Sequence, residues 1–339
     1  MKNNMTVTKN EHFGIARKIV SNMTSESWET IPHAVVTYEP EVTEFLKVVK
    51  EINKGATRET KLTLNTIMLR VIVEGLKACP VMNSHIEFNR KLVRGNVKTF
   101  EEINISMPMI LKTGEMMTIN MHDMHNKTMS QMRDAIADST RRANNSDMNE
   151  VMFEVSLDNT LTGLKQGKIV QTINRLIGSK TGRHKVRTLR GKAKREYYAI
   201  PETDRLTKHD IEQGTITISN LGSICRNWSG ACTLLEIIPP QVCAIAIGAS
   251  QLVPIAEADG TVRTGTRLPL TIAIDHRALD MGDITPFIDK LNEIFENPQM
   301  IKDWIGTEQT KSQTPQMDCS EQSPSFFVLP YANMSAPRK

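Results

Sequence analysis

Residues 268–274 read Leu268-Pro269-Leu270-Thr271-Ile272-Ala273-Ile274, seven positions without a charge and rich in branched side chains. A run this short and apolar, led by a proline, predicts a β-strand buried on at least one face. The chain around it must therefore supply a sheet and a covering layer. Directly after the strand come Asp275, His276, Arg277, Ala278, Leu279 and Asp280. Charged groups at the end of a core strand are costly unless they are paired. A lone histidine in such a place is ordinarily a hydrogen-bonded structural residue. The three charged neighbours of His276 turn it into a candidate for chemistry.

The rest of the chain alternates helical and strand patterns, which places it in the α/β class. Helices are predicted at 14–29, at 42–52 behind a Thr43 cap, at 62–78 up to Cys79-Pro80, at 128–143, at 170–177 and at 284–295. Strands are predicted at 34–39, 85–88, 91–93, 103–109, 115–121, 214–219 and 242–249. With 339 residues the chain can form one large domain or two small ones. There is no run of eighteen or more apolar residues, which argues against a membrane-spanning helix. The opening Met1-Lys2-Asn3-Asn4-Met5-Thr6 has no apolar stretch after its charge, so a cytoplasmic location is expected.

Forty-two Lys and Arg against 38 Asp and Glu leave a net charge of +4, too small to imply nucleic-acid binding. The basic residues do cluster between Ser179 and Arg195, with Gly182 and Gly191 interrupting them. This stretch is expected to be an exposed loop or mobile helix. It is either simply solvated or docks an acidic or phosphate-bearing partner; nucleic acid ranks last because no aromatic residues are interleaved. Five cysteines (Cys79, Cys225, Cys232, Cys243 and Cys319) are odd in number and scattered, so reduced thiols and no metal site are expected. The last thirty or so residues, rich in Gln, Ser, Thr and Pro, read as a disordered tail.

The segment from Asp275 to Asp280 resembles the D-H-R-x-x-D-G signature of the acyltransferase components of 2-oxoacid dehydrogenase complexes, with Met281 where that family has glycine. Other motifs follow in the family's order. Arg17-Lys18-Ile19-Val20 and Thr30-Ile31-Pro32-His33 are similar to its opening helix and first strand, and Pro80-Val81-Met82-Asn83 to its P-x-x-N element. Ile103-Asn104-Ile105-Ser106 falls where a core strand is expected. Residues 214–222, with Thr217-Ile218-Ser219-Asn220-Leu221-Gly222, resemble G-x-F-T-I-S-N-L-G, and Ile238-Pro239-Pro240-Gln241 resembles N-P-P-Q. The likeness runs from about residue 14 to 300.

The resemblance implies a chloramphenicol acetyltransferase-like fold, a mixed β-sheet flanked by helices, with the active site at a trimer interface. It divides the chain into an arm at 1–13, a catalytic domain at 14–304 carrying an atypical basic insertion at 145–205, and the tail at 305–339. The reaction it implies moves an acyl group between coenzyme A and a dihydrolipoyl thiol. Such a transfer needs a base, and an imidazole with an unperturbed pKa of about 6.5 suits that role. It also needs a donor for the tetrahedral oxyanion, worth roughly 3 kcal/mol. The matching residues are His276 as base and Ser219 as donor, in neighbouring subunits. Asp280 is expected to pair with Arg17, Arg277 to be structural, and His33 and Asn220 to line the substrate channel. The implied assembly is a homotrimer, or a larger cage of trimers, working with other dehydrogenase-complex subunits. With the catalytic domain starting almost at once, the lipoyl group is expected on a separate carrier. Two other readings stand beside this one: a free-standing coenzyme A-dependent acetyltransferase acting on a small hydroxyl or amine, and a non-catalytic trimeric scaffold. The presence of His276 counts against the scaffold.

Overall fold

Side-chain size alternates along residues 270–275, and that alternation sets the layers of the molecule. The computed structural model describes residues 6–111, 114, 116–165, 173, 177, 188–233 and 235–306. All six residues of the strand Leu270–Asp275 are buried. Leu270, Ile272 and Ile274 enter the main core beneath a layer of helices, whereas Ala273 faces the other way, into a small cluster with Ala244, Ile31 and Ile237. A strand with helices on one face and a close-packed chain segment on the other is apolar throughout.

In chain order the elements are α1 (Ile15–Thr30), β1 (His33–Tyr38), α2 (Thr43–Ile52), α3 (Leu64–Ala78), β2 (Ser84–Asn89), β3 (Arg94–Thr99), β4 (Ile105–Ile110), β5 (Met116–Met121), α4 (Met129–Asn144), α5 (Met148–Lys165) and α6 (Gly191–Tyr198). After them come β6 (Ile216–Asn220), α7 (Leu221–Ile224), β7 (Cys243–Ile247), β8 (Gln251–Ala256), β9 (Val262–Arg267), β10 (Leu270–Asp275) and α8 (Thr285–Glu296). Six strands form one mixed sheet in the order β1-β10-β7-β6-β4-β5, and β2-β3 and β8-β9 are separate hairpins. The contacts of β6 with β4 and with β7 are parallel; the other pairs in the sheet are antiparallel. This mixed sheet with flanking helices is the expected architecture.

Helix α3 lies at the centre of the helical layer, with Ile67, Met68, Val71, Ile72 and Leu76 fully or almost fully buried. Its first turn is held by the Thr63 hydroxyl, which accepts from the Thr66 amide at 3.2 Å. Gly75 lets α8 approach closely: a Cβ there would come within 2.6 Å of Leu291 and Phe287.

Some expectations shift. Thr43 is the first helical residue of α2 rather than its cap; its hydroxyl donates to Glu41 at 2.9 Å and accepts from the Thr266 amide at 2.9 Å, which ties β9 to the helix start. Residues 91–93 are the turn of the first hairpin, and the strand begins at Arg94. The β8-β9 hairpin went unpredicted because Pro254 and Gly265 interrupt its alternation. Of the basic stretch, residues 191–195 belong to α6, while 179–187 lie outside the described residues. Most of 170–177, residues 1–5 of the arm and residues 307–339 of the tail also lie outside them.

Candidate active site

At the end of β10, Asp275 is fully buried and its carboxylate must be neutralised in place. Arg277 does this: its Nε donates to Asp275 Oδ1 at 2.9 Å, its Nη2 to Oδ2 at 2.5 Å, and its backbone amide to Oδ1 at 3.0 Å. The guanidinium also lies over the Phe88 ring, 5.8 Å from its centre. Arg277 thus neutralises a buried carboxylate. Truncating it leaves a buried, unpaired carboxylate, so Arg277→Ala should lower unfolding stability by about 3–5 kcal/mol. Chemical denaturation checks this; an unchanged midpoint would contradict the pairing.

The knot between Asp275 and Arg277 fixes the residue between them. The His276 amide donates to Pro32 O at 3.0 Å, which ties this turn to the residue before β1. The His276 side chain is 55% exposed, and its Nδ1 lies 3.0 Å from Asp280 Oδ1. With its proton on Nδ1 the ring faces this acceptor-only carboxylate and presents Nε2 as an acceptor. Asp280 is itself held by its amide, which donates to Asp283 at 2.7 Å. The expected partner of Asp280 is not found: among the described residues Arg17 forms no ion pair with it. The carboxylate four residues beyond the histidine folds back onto the imidazole instead. Met281 has an ordinary backbone, since among the described residues the positive-φ positions other than glycine are Val93 and Asp123. No glycine is needed at 281, and the 48% exposed methionine side chain fits without strain.

Ser219 and Asn220 end β6. Asn220 is occupied structurally: its Oδ1 accepts from the Ser223 amide at 2.9 Å, and its Nδ2 donates to Asn65 Oδ1 at 2.7 Å. Gly222 then permits a tight passage beneath β7, where a Cβ would stand 2.3 Å from Gly248 O. Gln241, fully buried, accepts from the Thr217 hydroxyl at 2.7 Å and donates to Gly214 O at 2.8 Å, which holds β6 from the side. Nothing comparable engages Ser219: among the described residues its hydroxyl makes no hydrogen bond.

His33 opens β1 directly across from Asp275. Its Nε2 accepts from the Ile237 amide at 3.1 Å and lies 3.2 Å from the Ser27 hydroxyl, which donates to Ile237 O at 2.6 Å. Burial pushes this imidazole below the usual histidine range. His33 Nδ1 is buried and has no hydrogen-bond partner. His33 therefore braces the segment around 237 beside the His276 turn.

The strand register separates the two principal candidates. Ser219 lies beside Ala246, and Ala246 faces Thr271, five residues before His276. With a rise of about 3.3 Å per residue and a strand spacing of about 4.8 Å, the two backbones are roughly 20 Å apart within one chain. The imidazole and the free hydroxyl stand at opposite ends of the sheet. Gln241, Asn65 and Ser27 were not singled out by the sequence reading; the glutamine of the P-P-Q motif was the one visible signal. Among the described residues no group of three His, Cys, Asp or Glu is placed to hold a metal, and no helix is long and apolar enough to cross a membrane. Among the described residues Cys79, Cys225 and Cys243 are free thiols.

The family model described as 2-oxoacid dehydrogenases acyltransferase (catalytic domain) matches residues 5–156 and 192–302, and the chain belongs to that family. It is 22% identical over 288 residues to the dihydrolipoyllysine-residue acetyltransferase component of the pyruvate dehydrogenase complex of Rickettsia prowazekii; the match covers 84% of this chain and 53% of that one. It is 34% identical over 102 residues to the lipoamide acyltransferase component of the mitochondrial branched-chain alpha-keto acid dehydrogenase complex of Arabidopsis thaliana, across 30% of this chain and 20% of that one. The chain thus spans about half or less of the length of these relatives. Among solved structures, the dihydrolipoamide acetyltransferase of Azotobacter vinelandii superposes with a TM-score of 0.59 at 15% identity, over 87% of this chain and 94% of that one. A probable dihydrolipoamide acetyltransferase of Listeria monocytogenes gives 0.57 at 17% identity, over 89% and 97%. These likenesses establish the shared fold.

Proposed function

We propose that the chain transfers an acyl group between coenzyme A and a dihydrolipoyl thiol, in a site formed where two copies of a homotrimer meet. One observation carries this reading: the exposed imidazole of His276 and the unengaged hydroxyl of Ser219 lie at opposite ends of one sheet, so a single chain holds half of each site. A second copy supplies the other half. The A. vinelandii structure was determined to examine a serine, a histidine and, four residues on, an asparagine in that enzyme's catalytic mechanism. Here Ser219, His276 and Asp280 stand in the same order, with the acid at that last position.

In the proposed reaction Nε2 of His276 takes the proton of the incoming thiol, and the thiolate adds to the thioester carbonyl. The oxyanion accepts a hydrogen bond from Ser219 of the neighbouring copy. Collapse of the tetrahedral intermediate breaks the original carbon–sulfur bond, and the departing thiolate recovers the proton from the imidazolium. Asp280 orients the ring through Nδ1 and stabilises its charged form. Coenzyme A is thus a substrate, and the lipoyl group arrives on a separate carrier protein. Trimers of this kind can also serve as the corners of a larger cage; a relative described as the cubic core of the pyruvate dehydrogenase multienzyme complex superposes with a TM-score of 0.57.

The test is chromatographic: free coenzyme A formed from acetyl-, succinyl- and isobutyryl-coenzyme A with no acceptor, with free dihydrolipoamide, or with a small alcohol or amine. Dihydrolipoamide-dependent release from at least one donor is expected. Release that responds only to a small alcohol or amine would overturn thiol transfer.

A further inference from the structure

The sheet and its helices account for most of the apolar surface, but not for the β2-β3 hairpin. β3 is exposed along all six residues and β2 along its last three. The base of the hairpin is tied down, Ser84 O accepting from the Val242 amide at 3.2 Å and the Ile86 amide donating to Pro240 O at 2.8 Å, while its turn carries Leu92 and Val93, 62% and 78% exposed. Val93 has φ 47°, the left-handed region that a β-branched residue avoids. Strain of this kind is retained where a function demands the shape. Around the two apolar residues stand Arg90, Lys91 and Arg94, all exposed. None of the three forms an ion pair among the described residues, whereas Lys98 lower on the hairpin is neutralised by Glu87. A shallow, open depression lies along the tip of the hairpin, lined by Phe88, Arg90, Lys91, Arg94 and Asn96 among others. One pair below the tip, Phe88, opposite Gly95, meets the guanidinium of Arg277, the residue after His276. A basic finger with an apolar tip therefore rises beside the proposed catalytic base.

Building on the thiol-transfer reading, we infer that the β2-β3 hairpin is the docking element for the protein that carries the acyl group, and that this carrier presents carboxylates around an apolar notch. A free thiol substrate needs only the chemical groups of the site. A carrier protein must also be oriented, and three uncompensated cations around Leu92 and Val93 supply charge complementarity with a central apolar contact. The carrier's own fold then sits outside the site while its arm reaches His276.

The test measures binding of a fluorescently labelled dihydrolipoyl domain of net negative charge to the full chain by anisotropy. It compares the unaltered protein with the triple variant R90E/K91E/R94E and with Val93→Asn, asparagine being at ease in the left-handed backbone. The charge reversals should raise Kd at least about tenfold and remove most of its salt dependence. Val93→Asn should raise Kd about threefold or more through lost apolar contact. The KM for free dihydrolipoamide and the mass of the assembly should stay unchanged in both. Absence of binding by the unaltered chain, or an unchanged Kd in the triple variant, overturns the inference. So does a fall in assembly mass, which would place the hairpin between copies of this chain, or hairpin-dependent sedimentation with anionic vesicles while domain binding is unaffected. Hairpin-dependent binding without acylation of free dihydrolipoamide would overturn the reaction and leave the docking intact.

Discussion

Replacing His276 with alanine should lower acyl transfer at least about a hundredfold and leave the chain folded. The two halves of this expectation come from different atoms. The backbone of residue 276 is held by its bond to Pro32 O and by the Asp275–Arg277 pair, neither of which uses the imidazole. Losing the ring exposes no buried charge, because Asp280 is already 76% exposed. What disappears is the acceptor at Nε2, and with it the route for the thiol proton. Turnover of acyl-coenzyme A with free dihydrolipoamide, read beside the thermal midpoint, decides the matter. Near-normal turnover would remove His276 from the role of base, and a collapsed midpoint would show that the turn depends on the ring.

Ser219→Ala should cost about a hundredfold in the chemical step, since one oxyanion donor is worth roughly 3 kcal/mol. Its more decisive use is in combination with the first variant. Co-expressed in equal amounts, the two inactive chains should assemble into mixed trimers. At random, about one interface in four then joins an intact His276 to an intact Ser219, so activity should return to that order of the unaltered level. A site built inside one chain would carry a defect in every copy and recover nothing. The separation of roughly 20 Å derived from the strand register predicts recovery. No recovery, in samples shown by mass analysis to contain both chains, would refute the shared site.

Much of this arrangement was legible in the residues themselves. The charge-free run before Asp275 could only be a buried strand, and the charged cluster behind it could only be tolerated by pairing, as the contact of Asp275 with Arg277 shows. Ser219 was legible through its place in a β-branched strand that ends in Asn-Leu-Gly. Which charge pairs with which was not. Asp280 was assigned to Arg17 by likeness, yet it turns back onto His276, because a four-residue loop lets the carboxylate reach the ring with no long-range contact. Asn220 and His33 were read as channel residues; the Asn220 amide is engaged by nearby Ser223 and by Asn65, and the His33 imidazole by Ile237, and the last two partners are far off in sequence where no local pattern announces them. The first hairpin was misplaced by three residues because Leu92 and Val93 have strand-like side chains but sit in a turn. There the backbone overrode propensity.

The opposed placement of His276 and Ser219 has a consequence for the life of the chain before assembly. Thioesters are reactive, and a lone base beside an exposed surface would waste them on water if it could also polarise the carbonyl. A newly made or dissociated copy carries the base at one end of its sheet and the polarising hydroxyl at the other. Under the shared-site arrangement such an orphan is inert toward its own substrates. Dilution should therefore silence the enzyme in step with dissociation, well before any copy unfolds. In that arrangement subunit association would act as the safety catch, opening the pool of activated acyl groups only to complete assemblies.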